Sequence, residues 1–197
     1  MSRPSTHDTG EILDAARELL LTRGPRATGI AAIAELSGAP VGSIYHRFGS
    51  RDALLAEVWL RALERFQHSF LAAAEDGDPL RACAEMAAAV VRFARSHPAD
   101  ARVLLSTREA DLLDGEPAAE LQARRAAINA PLTAALRRLA RAHYGKADKR
   151  SVELVYFAVV DLPAGALRRH AASAQALPPW LEDELAAAAV RVLGAGA

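Results

Sequence analysis

Hydrophobic residues recur three and four positions apart through almost the whole chain, and nowhere do they alternate along a β-branched run. The pattern predicts an all-α protein of about nine helices. The first runs from about Thr9 to Thr22 and stops at Gly24-Pro25. Two short helices follow between Thr28 and Phe48. A fourth, starting after Ser50 and stopping near Gly77-Asp78-Pro79, carries Leu55, Trp59, Leu63, Phe66 and Phe70 along one side. Further helices are predicted over Pro79–Ser96, about Ala99–Leu113 with a stop near Gly115, and from Pro117 to Tyr144 with Pro131 as a kink. The last two are expected over about Asp148–Ala172, kinked at Pro163, and over Pro179–Leu193.

The two short helices carry the clearest functional pattern. Ile30, Ile33, Ala34 and Leu36 give the first a buried side, and Ser37-Gly38 breaks it, since Gly takes the positive φ of a sharp turn. Pro40 sits where the second begins, at no cost to the first turn. From Val41 to Phe48 only Ile44 and Phe48 need face inward, which leaves Gly42, Ser43, Tyr45, His46 and Arg47 pointing out. Helix-turn-helix proteins lay such a helix in the DNA major groove. Gly42 would permit close approach, Ser43 can donate or accept, and Tyr45 and His46 can donate to phosphate oxygens. Ser50 suits the N-cap of the next helix, with the charge of Arg51 beside it.

The order and spacing of Ile12, Ala15, Ala16, Gly24, Thr28, Ile33, Ala34, Gly38, Gly42, Ile44, Tyr45, Phe48, Arg51 and Leu54 resemble the DNA-binding domain of the tetracycline-repressor (TetR) family. The chain departs from that pattern at Gly29 and Pro40, where many members carry a hydroxyl residue. The resemblance implies a helix-turn-helix domain over residues 1–50 and a helical effector-binding and dimerisation domain over 51–197. It implies double-stranded DNA as partner, with Thr28, Val41, Gly42, Ser43, Tyr45, His46 and Arg51 facing it. A pocket for a small hydrophobic or amphipathic effector is implied among the middle helices, with Trp59, Phe66, Met86, Phe93, Leu104, Arg108 and Tyr156 as candidate walls. Most of these would otherwise be core, and Arg108 a surface ion pair.

The last two helices present broad apolar faces, which can cover their own domain or a second copy. The resemblance favours a homodimer seam, made from Val152, Val155, Val159, Leu162, Trp180, Leu181, Leu185, Ala188 and Val192. Asp161, an acid inside an apolar run, faces water, the seam or the ligand. The series Arg137, Arg138, Arg141, Lys146, Lys149 and Arg150 reads as a solvated face rather than a second nucleic-acid surface.

Charge changes this picture little. With 24 basic and 24 acidic residues the net charge is zero, so DNA affinity is expected to depend on two heads acting together. The single Cys83 excludes an intramolecular disulfide and a multi-cysteine zinc site. No two of the six histidines stand i, i+4 apart, and no phosphate-cradling loop or nucleophile elbow occurs, so no enzyme, metal or cofactor is expected. The polar N-terminus is unlike a signal peptide and no run approaches a membrane span, which predicts a cytoplasmic protein. A ligand-binding protein with a vestigial DNA-binding domain is the alternative.

Overall fold

A computed structural model describes residues 8–113, 119–173 and 176–194, and among these it is all-α. Helices α1 (Thr9–Arg23), α2 (Ile30–Ser37) and α3 (Val41–Phe48) form the head, and α4 (Arg51–Ala72) leads out of it. The body comprises α5 (Pro79–Ser96), α6 (Pro98–Ser106), α7 (Ala119–Tyr144), α8 (residues 149–173) and α9 (Leu181–Gly194). These are nine helices among the described residues, as the periodicity predicts. None is long and apolar enough to cross a membrane. The expected stop at Gly115 and start at Pro117 lie outside the described residues.

Local chemistry sets most boundaries. Asp8 and Glu11 close a capping box on α1, and Asp78 and Asp148 cap α5 and α8 by accepting from Arg81 N and Ser151 N, both at 2.8 Å. Those bonds, with Lys146, take the exposed Asp148 carboxyl down to about 2. Gly38 turns α2 into α3 at φ 71°, in the left-handed region that other residues resist. The helix expected to reach Leu113 ends at Ser106 instead. After two extended residues a 3₁₀ turn, Glu109–Leu112, drops Leu112 into the head's core, where it is 1% exposed. Burying a whole leucine is worth about 2 kcal/mol, more than one further helical turn offers.

The kink expected at Pro163 takes another form. Proline lacks the N–H that would reach the carbonyl four residues back. The helix widens just upstream into a π turn over Phe157–Asp161, and Leu162 N–H donates to Phe157 O, five residues away. At Pro131, by contrast, α7 continues as helix on both sides.

Two cores result. Ile12, Ala16 and Leu19 of α1, Ile33 of α2 and Ile44 of α3 pack against Leu54, Leu55 and Val58 of α4. The second core surrounds α5, whose Cys83, Met86, Ala87 and Val91 meet Phe70, Leu136, Leu139, Val155, Leu185 and Ala189. Burial pushes the Cys83 thiol up to about 12, so it is an inert apolar group there. α4 serves both cores. A division after residue 50 therefore follows the start of a helix, whereas the head's core continues along it to Ala62.

Ion pairs join head to body. Asp100 of α6, 2% exposed, accepts from Arg17 of α1 at 2.5 Å and Arg65 of α4 at 2.9 Å. Arg17 also pairs with Asp14 at 3.1 Å, and Asp14 with Arg61 at 2.7 Å. Five side chains on three helices thus form one continuous string. Burial works to raise the Asp100 carboxyl, but the hydrogen bonds and charges of the two arginines outweigh it and hold it below the ordinary carboxylate range.

Candidate nucleic-acid interface and effector chamber

The outward side of α3 is assembled from local rules. Pro40 is its N-cap, and the carbonyl of Pro40 accepts from Ser43 N and Ile44 N at 2.9 and 3.2 Å. Ile44 is fully buried and Phe48 packs against the same core, which fixes the helix's rotation. Val41, Gly42, Ser43, Tyr45 and His46 consequently stand exposed on one short surface. Val41 is 44% and Tyr45 50% exposed. A Cβ added to Gly42 would meet no atom within 4 Å. No contact inside the protein asks for glycine there, although glycine costs a helix about 1 kcal/mol relative to alanine.

Two residues expected on that surface are elsewhere. Thr28 is completely buried, and its hydroxyl donates to Gly24 O at 2.8 Å, closing the 3₁₀ turn Pro25–Ala27. Arg51 is turned inward as a brace: its Nε donates to Thr28 O at 2.9 Å, a terminal nitrogen donates to Pro25 O, and another pairs with Asp52 at 2.7 Å. It also approaches Leu112 O at 3.5 Å. A guanidinium with five donors can satisfy several main-chain carbonyls at once, and here they recruit it away from the surface. Its neighbour Ser50 caps α4 as expected, accepting from Ala53 N at 3.1 Å. Gly29 and Pro40 leave the starts of α2 and α3 with no side-chain cap.

Behind the head, α4, α5, α6 and α8 line a half-open chamber of about 180 Å³. Trp59, Leu63 and Phe66 line it from α4, Val90, Phe93 and Ala94 from α5, Ala101, Leu104 and Leu105 from α6, and Val160, Ala164 and Leu167 from α8. Phe66 stacks on Phe70 at 4.9 Å and meets Phe93 edge-on at 5.3 Å, so aromatic contacts hold that wall. Of the seven residues expected at a pocket, Trp59, Phe66, Phe93 and Leu104 are brought together. Met86 lies fully buried in the body core away from the wall. Arg108 is exposed beside the 3₁₀ turn, and Tyr156, 39% exposed, is not among the chamber's walls. Leu63, Val90 and the small residues of α6 and α8 were not anticipated, since their spacing is that of ordinary core.

The C-terminal seam is also redistributed. Val155, Val159, Leu181 and Leu185 are buried within the protomer and cannot meet a partner without opening the core. Val152, Leu162, Ala188 and Val192 are half-buried, and Trp180 is 55% exposed. Phe157, absent from the expected set, is 45% exposed beside Tyr156, and Asp161 is exposed on the same stretch.

Residues 12–58 match the profile of the bacterial regulatory proteins of the tetR family. Within that span the chain matches the TetR family. The matching span is the head plus the first third of α4, the unit that holds the exposed side of α3. The HTH-type transcriptional repressor KstR2 of Rhodococcus jostii is 37% identical over 65 residues, 29% of this chain and 32% of that protein. The chain thus spans about a third of that relative's length. A tetR family transcription regulator from Shewanella sp. PV-4 shares the fold with a TM-score of 0.70 at 19% identity, over 95% of this chain and 96% of that one. FadR from Bacillus subtilis, solved with stearoyl-CoA, gives 0.70 at 15% identity over 96% and 100%. The nine-helix fold of the described residues is therefore shared with those two structures.

Proposed function

We propose that the protein is a ligand-responsive transcriptional repressor. In this reading residues 1–50 are the DNA-binding head, and residues 51–197 bind the effector and dimerise. A homodimer sets its two α3 helices into successive major grooves of a partly palindromic operator, about 34 Å apart. A small hydrophobic effector in the chamber favours a spacing of the heads that no longer fits. Each ligand must prefer the unbound arrangement by several kcal/mol to empty the operator.

The observation that carries the reading is Gly42. It sits mid-surface on α3 with open space around it, among Ser43, Tyr45 and His46. A glycine that the protein's own packing does not need is what close approach of a DNA backbone would need. Coupling is supported by shared elements: α4 and α6 supply chamber walls and also the Asp100 string to α1. The exposed Tyr156, Phe157 and Trp180, with Val152, Ala188 and Val192, are the seam we assign to the homodimer.

Selection from a random duplex library, repeated at two salt concentrations, tests this. An enriched inverted repeat is the expected result. No enrichment by a folded, dimeric protein would favour the vestigial head.

A further inference from the structure

We infer that two copies of the chain meet where their α8 helices cross antiparallel at Gly165, with Asp161 of each pairing with the partner's Arg168. This register rests on the homodimer proposed above and deepens it. Asp161, Gly165 and Arg168 are all exposed. Beyond the π turn α8 is regular helix, and steps of four and three residues keep the three within about 60° of one another around its axis. They form one stripe. Phe157, already assigned to the seam, is exposed one turn before it.

Nothing inside the protomer asks for this stripe. A Cβ added at Gly165 would meet no atom within 4 Å, and its backbone is not left-handed. Glycine weakens a helix interior, but its missing side chain lets a second helix approach closely. The charges beside it are also unused. Asp161 and Arg168 lie seven residues apart, about 10 Å along the axis, too far to pair with each other. Among the described residues neither has an ion-pair partner, whereas the adjacent Arg169 donates through Nε to His170 Nε2 at 3.3 Å. A two-fold axis brings residue i of one copy to residue j of the other and j to i. An antiparallel crossing centred on Gly165 therefore sets the acid, about 6 Å to one side, against the base, about 4.5 Å to the other. A parallel crossing would set acid against acid.

Charge reversal separates a paired stripe from a merely exposed one. Self-association of the full-length protein is measured by sedimentation equilibrium for the wild type, for Asp161→Arg, for Arg168→Asp and for an equimolar mixture of the two variants. Each variant alone juxtaposes like charges twice and should dimerise at least about ten-fold more weakly. Their mixture juxtaposes opposite charges twice, so heterodimers should form about as tightly as the wild-type dimer, which also shows both variants folded. Gly165→Leu should weaken association without lowering Tm. Wild-type affinity in either reversed variant alone, no recovery in the mixture, or unchanged association of Gly165→Leu overturns the inference and leaves the homodimer to another register. A wild type that stays monomeric overturns the homodimer with it.

Discussion

The large hydrophobic residues that stand exposed among the described residues fall in two places, and the two are unlike. Leu36, Val41 and Tyr45 lie on α2 and α3, while Tyr156, Phe157 and Trp180 lie on α8 and just before α9. In the head they are interleaved with Gly42, Ser43, His46 and Arg47, small or donor-bearing groups on an eight-residue helix. In the body the run Tyr156–Asp161 that holds two of the aromatics includes no basic residue. The first composition suits a hydrated polyanion, the second another protein surface, whose core is depleted of charge and rich in aromatics. Exposure alone does not name a partner; the neighbours of the exposed group do.

If the two surfaces work as a unit, the largest effect should come from cutting what joins them. Asp100→Ala removes the shared anion of Arg17 and Arg65. We expect a loss of about 2–3 kcal/mol, below the full worth of a buried pair because Arg65 is part exposed, seen by calorimetry as a fall in Tm of roughly 4–12 °C. A Tm within a degree of the wild type would mean that the string carries no coupling. Next comes the body surface: replacing Phe157 and Trp180 together by serine should weaken self-association by about 2 kcal/mol or more. Sedimentation would then show monomers, which still fold because neither side chain is in a core.

On the head, Tyr45→Phe should weaken operator binding by about 1 kcal/mol and leave self-association untouched. Titration of a labelled operator would expose any deviation. Gly42→Ala separates stability from function most finely. The folded protein should gain up to about 1 kcal/mol from helix propensity, while operator affinity drops. Alanine tolerated on both counts would remove the close approach. Acid gives the smallest and broadest test. Asp100 and Asp148 both titrate below the ordinary aspartate range. Their contributions are complete above pH ~4 and are lost as pH falls through the depressed folded values, for Asp148 near 2. Unfolding followed from pH 5 to 2 should steepen there, and less so in Asp100→Ala.

The head was legible in sequence wherever one residue does one local thing. A turn needs Gly38, a helix start tolerates Pro40, and Ile44 with Phe48 leaves only one way for α3 to face. Thr28 and Arg51 turn inward for the opposite reason. Both are polar and the family resemblance sends them outward, yet carbonyls of Gly24, Pro25 and Thr28 claim their donors. In the body, spacing identifies apolar faces without saying which neighbour each meets. Val155 and Tyr156 are adjacent in sequence, one buried completely and the other exposed. The Leu112 plug had no sequence signal, since a leucine at the end of a predicted helix looks like any other. Trp59, Phe66, Phe93 and Leu104 converge because bulky residues on three helices meet where α6 and α8 contribute alanines, a fit that depends on the helices' crossing and not on any one of them.

The π turn of α8 can be understood as a change of phase. Each α-helical residue advances the chain by about 100° around its axis, and a π turn inserts roughly one residue more per turn. Beyond Phe157–Asp161 every side chain is therefore rotated relative to an uninterrupted helix. One rod thus turns Phe157 outward and Val160, Ala164 and Leu167 toward the chamber. Deleting a single residue within that turn would change no side chain downstream, yet it would swing all of them out of register.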